Sequence, residues 1–332
     1  MLTRPSETGL PDPVRDAGRR VRLPVDDRVD GLFSRFGRLA DLSERKGWAY
    51  FLLIPSLLMV GAVVVYPVTS GILLSFRQMQ INRPRLGEPW VGLDQYRRLW
   101  EDDVFRTAAG NTVYWVVGGA TSQFLVGLIA ALALNRSLPG FRLARVLILL
   151  PWLLPSVVAA HMWALLLDSR LGVVNDLLLK ANLIDTPVAW FAEPDTAFPA
   201  VLVAELWRWF PFFTLFLLAG LSSIPDELYD AASMDGAGMI RQFFDITIPL
   251  LQPVIVASVV LRVIGLVNSP DLLVVLTNGG PGHKTQILSL YAFQTAYNSF
   301  NFGYAAAISV VLLLILVVFT VVYVRISKVT QE

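Results

Sequence analysis

The sequence predicts an all-α membrane protein with six transmembrane helices. Its 332 residues are 55% hydrophobic and only 16% charged, and its mean hydropathy is +0.58. A water-soluble domain cannot hide that much apolar surface. The apolar residues also gather into runs of about 20, the length that crosses a bilayer as a helix, and the charges sit between the runs. Composition excludes other classes. A net charge of +1 gives no electrostatic footprint for nucleic acid. The absence of cysteine and the presence of two histidines, His161 and His283, leave no disulfide, thiolate nucleophile or obvious metal site.

Residues 1–46 are polar, carry ten Lys/Arg and contain no apolar signal-peptide core. They are expected to form a cytoplasmic tail, disordered near its Pro-rich start and helical from about Asp30 to Arg45. A transmembrane domain should then occupy 47–327, with spans near 48–75, 112–134, 146–167, 200–223, 251–276 and 304–325. Pro151 and Pro155 interrupt the third. The fifth carries an interior arginine, and Pro270 should disturb its end. With the N-terminus inside, sixteen Lys/Arg fall in inner segments and nine in outer ones, which places both termini in the cytoplasm. The outer segments are then 77–111, 168–199 and 277–303. Short surface helices are expected across 168–199, with Trp190 and Phe191 as interfacial anchors.

The inner loop 224–250 is unlike polar filler. Ile224-Pro225-Asp226-Glu227 is a helix start, with proline and acids in the first turn. Leu228, Ala231, Ala232 and Asp235 then share one helical face. Gly236 can take the positive φ of a helix end, and Gly238 follows it. A second short helix is expected over Met239–Thr247, before Pro249 starts the next span. Five acids face one base, Arg241, a balance that anionic lipid would repel; a protein cleft fits better.

Tyr229-Asp230-Ala231-Ala232-Ser233-Met234-Asp235-Gly236-Ala237, ending in Ile246-Thr247-Ile248-Pro249, resembles the cytoplasmic coupling loop of binding-protein-dependent ABC importer permeases. Asp230 stands where that family usually has glutamate. Val91-Gly92-Leu93-Asp94-Gln95-Tyr96, Leu276-Thr277-Asn278-Gly279-Gly280-Pro281 and Phe302-Gly303-Tyr304-Ala305-Ala306-Ala307 resemble further elements of the carbohydrate, maltose-type branch. The resemblance covers about 48–325 and implies the type I importer permease fold. It implies that Asp230, Ala231, Ala232, Asp235, Gly236 and Pro249 belong to the loop that engages an ATPase. The implied partners are a second, homologous permease, two ABC ATPase subunits holding ATP and Mg, an extracytoplasmic solute-binding protein and a sugar-like solute, with membrane lipid around them and no nucleic acid. The chain itself would bind no cofactor, catalyse no covalent chemistry and lie in a bacterial or archaeal cytoplasmic membrane.

Polar groups inside spans are costly and point to function. Trp207, Arg208, Asn268, Asp271 and Gln123 are therefore candidates for the solute pathway. Glu205 and Arg208, at i and i+3, are expected to pair on one helix face. Gly279–Thr285 superficially resembles a phosphate-binding loop, but His283 precedes Lys284 and Asn278 occupies the earlier glycine position. The rival reading is an ion-coupled secondary transporter, which often shows repeats and paired broken helices; the sequence shows neither.

Overall fold

The computed structural model describes residues 46–83, 85, 87–135 and 141–329. The expected tail, with its helix over about 30–45, lies outside the described residues. The chain divides into two units at Val68/Thr69. The first holds α1 (Lys46–Val60) and a π-helical turn at Gly61–Val65, and the helix α2 (Tyr66–Leu74) carries the chain from the first unit into the second.

The second unit holds the remaining elements. A short α3 (Asp94–Glu101) precedes α4 (Asp103–Leu134). The second span therefore begins as a helix nine residues before its apolar run, because Asp102 caps it: its carboxylate accepts from the amides of Val104 at 2.8 Å and Phe105 at 3.2 Å. Next come α5 (Phe141–Leu147), α6 (Leu150–Leu153) and α7 (Ser156–Leu166). The Leu143–Leu153 segment meets α7 at 95°. Pro155 removes an amide donor and sits in extended backbone as the cap of α7, so the third span is a bent pair, not one rod.

Of the surface helices expected across 168–199, one is present, α8 (Val173–Lys180). Trp190 is half-buried, and its indole donates at 3.0 Å to buried Asn175. The long α9 (Ala197–Leu221) packs along α4. That approach needs Gly127, where an added Cβ would lie 2.5 Å from the Phe213 Cβ and 3.0 Å from the Phe210 carbonyl. Then follow α10 (Asp226–Met234), α11 (Met239–Gln242), a π turn at Phe243–Thr247 and α12 (Ile248–Asn268). A break at Ser269–Pro270 separates α12 from α13 (Asp271–Leu276), and both lie within one apolar segment, Met239–Leu276. Finally α14 (Leu288–Tyr297) and α15 (Phe302–Val329) close the unit.

Three apolar clusters hold this unit. One joins α3, α4, α12, α14 and α15 around Phe105, Tyr304 and Ile308. A second centres on Trp115, Phe198 and Leu266, and a third on Phe213, Leu217 and Leu251. At one end Asp102 also accepts from the hydroxyls of Tyr291 (2.5 Å) and Tyr304 (2.6 Å). Burial alone would raise the Asp102 carboxyl, but those phenols and the two capping amides outweigh it and hold the group below the usual carboxylate range. Among the described residues, five helices are long and apolar enough to cross a membrane, or six with the bent pair counted as one span.

Candidate functional site

Two places gather the chemistry that the sequence singled out: the exposed corner after α10, and a polar seam between α4, α9 and α12.

The corner begins at α10, with Asp226 and Glu227 in its first turn. Its C-terminus is a Schellman motif. Gly236 has φ +78°, the Gly236 amide donates to the Ser233 carbonyl at 3.0 Å, and the Ala237 amide donates to the Ala232 carbonyl at 2.9 Å. Gln242 then staples the two arms, donating to Ser233 Oγ at 2.8 Å and to the Ala237 carbonyl at 3.0 Å. Tyr229 and Thr247 share a hydroxyl bond of 3.0 Å across the same angle. The corner is thus a fixed shape despite its exposure. Asp230, Ala231, Asp235, Gly236 and Pro249 are exposed and Ala232 is half-buried. A polar hollow of about 230 Å³ opens between Ala232, Asp235, Ala237, Arg241, Gln242 and Asp245. Met234, 89% exposed, and Met239, 82% exposed, flank the glycine as apolar knobs that stand uncovered among the described residues.

One expectation for this region is corrected. The second short helix is not separate from the next span, and Pro249 does not start a new element after a break. Helix α11 continues through the π turn into α12, so Met239 to Asn268 forms one run. Proline is tolerated at this point because the π turn directly before it, closed by the Ile248 amide on the Phe243 carbonyl, already shifts the bonding ladder.

The polar seam corrects a second expectation. Glu205 does not pair with Arg208 on its own helix; it pairs with Arg262 of α12. Both are buried, at 4% and 2% exposure. Arg262 Nε donates to Gln123 Oε1 of α4 at 2.6 Å, and its guanidinium lies 4.2 Å from the Trp209 ring centroid. A charge taken out of water survives only when such partners replace its hydration. The cross-helix partner wins because Glu205 lies on the α9 face that meets α12, a fact invisible in local spacing. Gln123 is fully buried and its amide is engaged at both ends, the second by a long 3.4 Å bond to the Glu205 carbonyl.

The other pathway candidates lie around this network. Arg208 is half-buried, its guanidinium 5.2 Å from the Trp209 ring, and its Nε has no hydrogen-bond partner among the described residues. Trp207 points elsewhere, edge-on to Trp163 with ring centroids 6.0 Å apart. Asn268 and Asp271 flank the break between α12 and α13 and are exposed; Asp271 accepts from Ser269 Oγ at 2.8 Å. Sequence reasoning missed Trp115, whose indole donates to the Leu266 carbonyl at 3.0 Å. Its signal was Pro270, four residues beyond Leu266.

Long apolar helices joined by an exposed, internally stapled helical corner define a polytopic helical membrane protein with a surface shaped for a partner. Residues 123–330 match the family model of binding-protein-dependent transport system inner membrane components. Over 283 residues the chain is 35% identical to the trehalose/maltose transport system permease protein of Thermococcus litoralis, covering 85% of this chain and 94% of that one. Over 309 residues it is 34% identical to the sulfoquinovosyl glycerol transport system permease protein of Agrobacterium fabrum, covering 93% and 98%. A bacterial ABC transporter that imports the acidic polysaccharide alginate shares the fold, with a TM-score of 0.76 at 22% identity over 89% of this chain and all of that one. The chain belongs to the family of binding-protein-dependent transport system inner membrane components, the permease subunits of ABC importers.

Proposed function

We propose that this chain is a pore-forming permease subunit of an ATP-driven importer for a sugar or sugar-like solute, seated in a cytoplasmic membrane with both termini inside. A second, homologous permease completes the pore, two ATPases carry ATP and Mg, and an extracytoplasmic binding protein delivers solute. The Asp226–Thr247 corner is the contact with an ATPase, and the observation that carries this reading is its geometry. Acids, a half-buried alanine and two exposed methionines are fixed around a positive-φ glycine, on a surface left uncovered among the described residues.

The continuous helix from Met239 to Asn268 then acts as a lever. At 1.5 Å per residue it spans about 45 Å. It connects the corner to the break where Asn268, Asp271 and nearby Arg208 offer hydrogen bonds to a polyhydroxylated solute. Gln123 and Arg262 stiffen that end. Movement imposed on the corner by ATPase closure would therefore reach the pathway without passing through a flexible joint. The test is reconstitution of the complex in proteoliposomes. ATP-dependent sugar uptake that requires all subunits is expected. Uptake by the lone chain under a proton or sodium gradient would instead show an ion-coupled transporter.

A further inference from the structure

We propose that Trp115 is a positioning residue for the transported solute, acting through the broken end of α12. This rests on the reading of the Asn268–Asp271 break as part of the solute pathway. In an unbroken helix the Leu266 carbonyl would accept from the backbone amide of residue 270. Residue 270 is proline and has no N–H, so this carbonyl is released at a buried position, where an unpaired polar group is costly. Trp115 supplies the missing donor from α4: its indole Nε1 lies 3.0 Å from the Leu266 oxygen. An indole N–H can only donate, so the pairing has one chemical sense.

The ring is oriented for this bond. Trp115 is 1% exposed and stands edge-on to Phe198 of α9, with ring centroids 6.0 Å apart. The two preceding carbonyls of the last turn are served from within α12. The Ser269 amide donates to Gly265 at 3.1 Å, and Asn268 Nδ2 donates to Ile264 at 3.0 Å. The Leu266 carbonyl is thus one of those at the end of α12 that no backbone amide serves, and its bond to α4 fixes the angle at which Asn268, Ser269 and Asp271 are displayed. Buried as it is, Trp115 cannot touch solute; it acts through the backbone two residues before Asn268.

The experiment uses the assembled complex, exploiting the absence of cysteine in this chain. Asn268→Cys is labelled with an impermeant maleimide, with and without Trp115→Phe, which keeps an aromatic ring and removes the N–H. Separately, maltose and trehalose uptake is measured in Trp115→Phe alone. Trp115→Phe should raise the labelling rate at position 268 about five- to tenfold. It should raise the half-saturating sugar concentration by a similar factor, with the maximal rate nearly unchanged; tenfold corresponds to about 1.4 kcal/mol. Pro270→Ala restores an amide at position 270, so in that background Trp115→Phe should have no further effect on either readout. An equal effect in both backgrounds, or no effect of Trp115→Phe on labelling, overturns the proposal. If Trp115→Phe alone fails to assemble, the double variant should assemble, since it again has a donor; failure of both overturns the proposal too. If neither sugar is taken up by the unmodified complex, the sugar reading fails, and the labelling comparison still decides the role of Trp115.

Discussion

Replacing Arg262 by methionine removes the centre of the buried seam while leaving its volume nearly filled. In the native chain that guanidinium serves the Glu205 carboxylate, Gln123 Oε1 at 2.6 Å and the face of Trp209 at 4.2 Å. Glu205 is 4% exposed, so the variant strands a carboxylate with no cation in contact. Breaking one half of a buried pair costs about 3–5 kcal/mol. Adding Glu205→Leu removes the stranded charge, and the pair replaced by apolar groups should return to within about 1–2 kcal/mol of the native chain; Gln123 remains short of a donor, at a cost of about 1 kcal/mol. The assay is reversible unfolding of the purified protein in mixed micelles, followed by circular dichroism, for both single variants and the double. A loss below about 1 kcal/mol in Arg262→Met, or a double variant no better than the single, would refute the argument that each charge is tolerated in the seam only because the other neutralises it.

Other consequences can be checked in the same preparations. Gly236→Ala meets no atom within 4 Å, so its cost is the left-handed backbone alone, about 1–2 kcal/mol, read as a lower unfolding midpoint with the spans still inserted. Asp230→Ala should weaken co-purification with the ATPase, removing a contact worth about 1.5–3 kcal/mol if charge-assisted; unchanged retention on an affinity column would argue against contact there. The Asp102 carboxyl is held below its usual range, so its contribution is complete above about pH 4 and is lost as acid protonates it. Asp102→Asn should flatten that acid limb in thermal unfolding measured against pH. Alanine at Arg208, Asn268 or Asp271 should alter substrate-stimulated ATP hydrolysis more than complex assembly; native rates in all three variants would remove them from the pathway.

Much of this architecture could be read along the chain because hydropathy and local backbone chemistry are themselves local. Runs of about 20 apolar residues located the spans, and the spacing from Asp226 to Gly236 located the helix and its left-handed end, found at φ +78°. What stayed hidden depends on which helix faces which. Glu205 had a plausible partner three residues away in Arg208, but the bond goes to Arg262, 57 residues distant, because the packing of α9 on α12 decides it. The bend of the third span followed from Pro151 and Pro155 in kind, while its 95° angle could not be read from two prolines. Asp102 was not singled out as a cap along the chain, and its two tyrosine donors lie 189 and 202 residues away. Pro249 misled because proline usually marks a boundary, yet here it follows a π turn, Phe243–Thr247, through which the helix runs on.

The central claim is that the corner around Gly236 transmits ATPase closure to the spans. It is tested most directly by placing Gly236→Asp in the reconstituted complex and measuring ATPase retention and ATP-driven sugar uptake together. The substitution leaves every apolar span unchanged, imposes a side chain on a backbone at φ +78° and adds a sixth acid to a face that already carries five. The account predicts a normally inserted chain that loses the ATPase and, with it, uptake. Full ATP-driven uptake with the ATPase retained would contradict it.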